Sequence, residues 1–139
     1  MNDGIIQFSN SQVDDTGISY ILSSTIINNS DEEQQIGKVG FYIYVDGEIL
    51  EDCVFKVYPD PPSYNLPGQE NLVIHSSSFL RSELFNPGQS CIAGAIPCLY
   101  DCYNRTGITI TEETKFQFRA FVELSSGEIF QDDLIGLNE

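Results

Sequence analysis

The sequence predicts an all-β protein: an Ig-like antiparallel β-sandwich of seven to nine strands, with a jelly roll or barrel as the alternative. Three observations carry this expectation. Lys38 to Tyr58, KVGFYIYVDGEILEDCVFKVY, reads as a nearly complete β-hairpin. Lys115 to Ile135, KFQFRAFVELSSGEIFQDDLI, is built the same way. Elsewhere short apolar runs are separated by turn-forming clusters about every eight to twelve residues, and no segment shows convincing helical periodicity.

In the first hairpin Val39, Phe41, Ile43 and Val45 alternate with Lys38, Gly40, Tyr42 and Tyr44, the period of a strand with one buried face. Ile49, Cys53, Phe55 and Val57 continue the pattern on the return, and Asp46-Gly47 marks the turn. A two-residue loop pairs Val45 with Glu48 and then sets Phe41 beside Asp52, mixing the faces. A three-residue loop, Val45 to Gly47, pairs Tyr44 with Glu48 and sets Ile43 opposite Ile49 and Val39 opposite Cys53. The second register keeps one face apolar except at Glu51, so it is the one expected.

In the C-terminal hairpin Phe116, Phe118, Ala120, Val122 and Leu124 share one face, with Lys115, Gln117, Arg119 and Glu123 on the other. A three-residue loop, Ser125-Ser126-Gly127, sets Val122 opposite Phe130 and Phe118 opposite Leu134. Both loops run into Glu-Ile, at Glu48-Ile49 and Glu128-Ile129, which reads as two hairpins meeting one turn requirement.

The remaining elements follow from the same rules. Ile5 to Val13 forms a first strand, suited to a sheet edge, and Asp14 to Gly17 a turn. Ile18 to Ile27 is a second strand, and Asn28 to Gly37 a polar loop. Pro59 to Gly68 carries four prolines, which excludes regular structure from its centre. Leu72 to Leu80 is a further strand candidate. A turn at Asn86 to Gln89 leads into a strand from about Ser90. Ile96 to Gly107 has no clear pattern, and Thr111 to Thr114 interrupts the lead-in to the last hairpin.

At 139 residues the chain fits one β-sandwich domain, 1–139, able to bury a core without metal or disulfide help. No run approaches the ~20 apolar residues of a membrane-spanning helix, so membrane insertion is not expected. The opening Met-Asn-Asp-Gly lacks the basic and apolar regions of a secretory leader. Six basic residues against 21 acidic ones give a formal charge of −15. That balance argues against nucleic acid and anionic membranes, and for docking onto a basic surface.

The stretch Ser24 to Leu50 resembles bacterial adhesion-related Ig-like modules of the CARDB type, through Asn28-Asn29-Ser30 after a strand and the turn Tyr44-Val45-Asp46-Gly47. The likeness covers about a fifth of the chain, and the prolines from Pro59 to Pro67 and the cysteine cluster depart from it. It implies a non-enzymatic binding or assembly module.

Candidate chemistry is sparse. Cys53, Cys91, Cys98 and Cys102 read first as buried or free thiols; their even count also allows two disulfides in three pairings, with Cys98 and Cys102 closing a small loop as one candidate bond. Their spacing is not that of a structural zinc site, and no metal or other cofactor is expected. His75, the lone histidine, precedes Ser76 to Ser78, but no nucleophile elbow accompanies it. The acidic doublets at Asp14-Asp15, Glu32-Glu33, Glu51-Asp52, Glu112-Glu113 and Asp132-Asp133 lack a calcium-loop pattern. Asn28-Asn29-Ser30 and Asn104-Arg105-Thr106 match the glycosylation sequon. Tyr42 and Tyr44, on the outer face of the first hairpin, are candidate interface residues.

These features predict no catalytic residues and a structural or assembly protein, first of all a virion accessory component such as a capsid-decoration, neck or tail protein. Its partners would be a protein scaffold with a basic docking surface or copies of itself. The alternatives are a bacterial surface or extracellular Ig-like adhesion module, and a small carbohydrate-active jelly roll. The expected location is the virion, or, for the adhesion module, the cell exterior.

Overall fold

Apolar side chains at every second position, on strands linked by tight turns, leave each sheet one face to bury, and two such faces pack together here. A computed structural model describes residues 5–58, 64–86 and 99–137. Among them are nine strands and two short helices: β1 (Ile6–Asp15), β2 (Tyr20–Asn28), β3 (Gln34–Val45), β4 (Glu48–Phe55), β5 (Tyr64–Leu66), β6 (Asn71–His75), α1 (Arg81–Phe85), α2 (Leu99–Thr106), β7 (Phe116–Leu124), β8 (Ile129–Gln131) and β9 (Ile135–Gly136).

All strand pairs are antiparallel. The smaller sheet runs β1-β2-β6. The larger runs β4-β3-β7-β8, with β5 also on β3 and β9 also on β7. The sandwich predicted from the sequence is therefore the fold observed. On one flank, the bridge between Tyr58 and His75 joins the chain leaving β4 to the edge of β6. On the other, the Ser11 hydroxyl of β1 donates to the Asp132 carboxylate beside β8 and also bonds the Ser24 hydroxyl at 2.7 Å. Ser11 reaches both through a β-bulge, in which Asn10 and Ser11 oppose Ser24 alone and Asn10 takes φ 55°.

Between the sheets lie Leu22, Ile26 and Ile74 from the smaller one and Phe41, Ile43, Phe55 and Phe118 from the larger, all fully buried. Phe79, in the segment after β6, completes a ring cluster with Phe55 at 5.3 Å and Phe118 at 6.1 Å. Each such ring contributes on the order of 1.5–3 kcal/mol by leaving water.

The two hairpins meet their turns differently. The first uses the two-residue loop: Val45 pairs with Glu48 and Tyr44 with Ile49, not Tyr44 with Glu48 as expected. Asp46 (φ 50°) and Gly47 (φ 87°) both take left-handed conformations, the requirement of a type I′ turn. Asp46 is fixed further by its carboxylate, which accepts the Lys115 N–H at 2.9 Å. The mixing of faces that a two-residue loop implies is avoided by an irregularity in β4, after which Phe41 pairs with Phe55. Leu50 is thereby buried and Ile49 lies beside Tyr44, so the expected pairings of Ile43 with Ile49 and Val39 with Cys53 do not form.

The second hairpin has the expected three-residue loop, with Gly127 at φ 98° donating its N–H to the Leu124 carbonyl, and Val122 pairs with Phe130. Phe118 meets Ile135 rather than Leu134, because one extra residue enters between Asp132 and Ile135. Other boundaries also move. Gln34 to Gly37, expected as loop, is strand because β5 pairs with it. β5 itself uses the proline-free Tyr64–Leu66 within the 59–68 segment, expected to hold no regular structure in its centre. The strand expected to continue to Leu80 ends at His75. The turn at Asn86 to Gln89 and the strand from Ser90 lie largely outside the described residues.

The expectation of no helix is corrected by α1 and α2. In α2 the buried side chains are Leu99, Cys102 and Tyr103, spaced as one helical face, but two turns are too short for that period to stand out. The disulfide expectation is corrected too. Cys102 bonds Cys53, 49 residues away, so it cannot close a loop with Cys98, which lies outside the described residues. Cys53 points inward from β4 and α2 packs against that strand, which brings the two thiols together.

Candidate interaction surface

The larger sheet has a second face, turned away from the core. Strand alternation places Lys38, Gly40, Tyr42 and Tyr44 of β3 on it, with Ile49 and Val54 of β4, Gln117, Arg119, Phe121 and Glu123 of β7, and Ile129 and Gln131 of β8. The two tyrosines singled out from the sequence are thus brought together on this face, both half-buried.

Phe121 is the organising residue. It is 1% exposed yet stands outside the inter-sheet core cluster. Tyr42 lies flat on it, ring centroids 4.1 Å apart and planes 9° from parallel. Gly40 is its direct cross-strand neighbour. A Cβ on Gly40 would sit 2.7 Å from the Phe55 carbonyl oxygen and 2.9 Å from Val54 Cγ1, so only glycine lets the neighbouring strand and ring close in.

Arg119 lies across the face, its guanidinium 5.4 Å from the Tyr44 ring centroid, and Nη1 donates to Gln131 Oε1 at 2.9 Å. Its Nε is buried without a hydrogen-bond partner among the described residues. The Tyr42 hydroxyl has its pKa raised, first by burial and then by the nearby Glu123 carboxylate and Tyr44. It stays a neutral phenol at physiological pH, able to donate or accept a hydrogen bond. On the described part of this face the charged residues are Lys38, Arg119 and Glu123. Aromatic and arginine side chains, both present here, are enriched at the cores of protein interfaces.

Sequence reasoning found Tyr42 and Tyr44 but missed Phe121, Gly40 and Arg119. Their trace is visible: Phe121 is an aromatic at a position whose neighbours in the alternation are Gln117, Arg119 and Glu123.

The other candidates are not brought into constellations. His75 is exposed, its Nδ1 2.9 Å from the Ser76 carbonyl oxygen. The Ser76 hydroxyl is buried, accepting the Leu22 N–H and donating to the Ser77 carbonyl. Among the described residues no three of His, Cys, Asp or Glu come together as metal ligands. Asn28 of the first sequon is fully buried, so it presents no amide for glycosylation; its role is structural. A groove of about 370 Å³ lies on the side of α1, floored by Phe85, Phe116 and Leu137 and rimmed by Arg81, Glu112, Glu113 and Lys115.

No protein-family model matches the chain, and no curated protein matches it. Among solved structures it is similar to a protein from Archaeoglobus fulgidus, at 9% identity over 96% of each chain with a TM-score of 0.41. So distant a likeness carries no functional argument.

Proposed function

We propose that this chain is a non-enzymatic structural or assembly protein that docks as an accessory component on a larger protein particle, a virion being the setting that best fits its composition. The observation that carries the reading is the segregation of its surface. Over its described side chains one sheet face is aromatic and nearly balanced in charge, with Lys38 and Arg119 against Glu123, while the molecule as a whole has a formal charge of −15. The face supplies apolar contact between neighbouring subunits of the assembly, and the acidic remainder supplies attraction to a basic scaffold.

Gradient sedimentation of native lysate at low salt tests this. The chain is expected in a heavy fraction, leaving it when salt screens the charges. Sedimentation as a free small protein at every ionic strength would refute it.

One observation favours a second reading, an extracellular or cell-surface module. The Cys53–Cys102 disulfide belongs to oxidising surroundings, which include cell surfaces as well as virions. Recovery of the oxidised chain from intact cells by surface labelling would support that setting, and labelling only after lysis would oppose it.

A further inference from the structure

We propose that the aromatic face of the larger sheet pairs with the same face of a second copy of this chain, an inference that rests on the assembly reading above. The argument begins with charge. Two molecules of charge −15 repel, so contact is least opposed where acidic residues are sparse. The part of the outer sheet face on β3 and β7 is such a place, with Lys38 and Arg119 against the single carboxylate of Glu123.

It is also self-complementary. Across β3 and β7 the register sets Lys38 beside Glu123, Gly40 beside Phe121, and Tyr42 beside Arg119. Consider a two-fold axis in the plane of contact, crossing the strands at the level of Gly40 and Phe121. It inverts the order along the strand. Arg119 of one copy then faces the level of Glu123 of the other, and Tyr42 faces the level of Lys38. Each copy thus offers one cation to a carboxylate and another to an aromatic ring, and receives both in return. At the centre, Gly40 has no side chain and the Phe121 ring is already sunk, so the backbones can approach closely.

Sedimentation velocity on the full oxidised chain across a concentration series tests this. A monomer–dimer equilibrium is expected, tightening as added salt screens the long-range repulsion. Arg119→Glu and Glu123→Arg are each expected to weaken the dimer about tenfold or more, and the double reversal to recover most of that loss. Arg81→Glu, away from the face, makes the same change in net charge as Arg119→Glu and is expected to leave the dimer largely intact. Melting curves confirm that each variant folds.

A chain monomeric at every concentration and salt overturns the proposal. So does a dimer indifferent to both reversals, or single losses that the double variant does not recover. A monomer that still sediments with a particle would overturn this pairing and leave the assembly reading standing. A dimer that never joins a particle would do the reverse.

Discussion

Tyr42 and Phe121 stack face to face on the outside of the larger sheet, 4.1 Å between centroids. Phe121→Ala is expected to cost about 2–4 kcal/mol, approaching a core truncation even though the ring is not in the core. A double-mutant cycle with Tyr42→Ala should return a coupling of about 0.5–1.5 kcal/mol in urea unfolding. A coupling near zero would mean that the two rings merely share a neighbourhood.

Gly40 is expected to tolerate no side chain. Gly40→Ala places a methyl group against the Phe55 carbonyl and Val54, so one of the two strands must move. A loss of about 2 kcal/mol or more is expected. Gly47→Ala is the contrast. It meets nothing within 4 Å, and its cost, about 1 kcal/mol, comes only from φ 87°. Thermal unfolding of the two variants side by side checks the order.

Asn28 is a buried fastening. Its Nδ2 shares two hydrogens among the carbonyls of Glu32, Leu66 and Pro67, at 2.8, 2.9 and 3.1 Å, and its Oδ1 accepts from the Ser30 N–H and hydroxyl. Asn28→Asp removes the donors and buries a carboxylate, with an expected loss of about 3 kcal/mol. Hydrogen exchange should then quicken first in residues 28–36 and 64–70. Uniform quickening across both sheets would contradict so local a role.

Alkaline stability should report on Tyr103. Its hydroxyl donates to the Leu84 carbonyl at 2.6 Å, and burial raises its pKa well above the ordinary 10.0. Below pH ~10 both folded and unfolded chains keep the proton, and the contribution is intact. Above that, the unfolded chain releases it first. Stability should therefore fall by about 1.4 kcal/mol per pH unit until the folded phenol ionises as well. Tyr103→Phe should lose about 1 kcal/mol at neutral pH and flatten this part of the alkaline decline. A slope above pH 10 unchanged by the substitution would assign the decline to other groups.

The Cys53–Cys102 bond should add about 2–4 kcal/mol through closure of a long loop. Denaturation midpoints with and without reductant measure this, and paired Cys53→Ala and Cys102→Ala substitutions should reproduce the reduced value. Equal midpoints in both conditions would count against the bond as a stabilising link.

The larger sheet was readable in advance because β3 and β7 alternate cleanly, and a period of two leaves each strand only two settings. The aromatic face was half readable: Tyr42 and Tyr44 declare it, while Phe121 hides because its burial depends on Gly40 of the neighbouring strand. The first turn departs from the expected one because the hairpin does not keep one unbroken register: an irregularity in β4 permits two. Local chemistry held the better clue. Aspartate at position 46 accepts a left-handed conformation that favours a two-residue turn, whereas serine at 126 does not suit one. The pairing of Cys53 with Cys102 joins segments remote in sequence, and spacing alone has no access to it.

The disulfide also makes residues 53 to 102 a covalent ring, and β5, β6 and α1 all lie within it. A protease that cuts once inside the ring leaves a single molecule heavier by one water. On a denaturing gel without thiol the two pieces travel as one, and only a reductant lets them part.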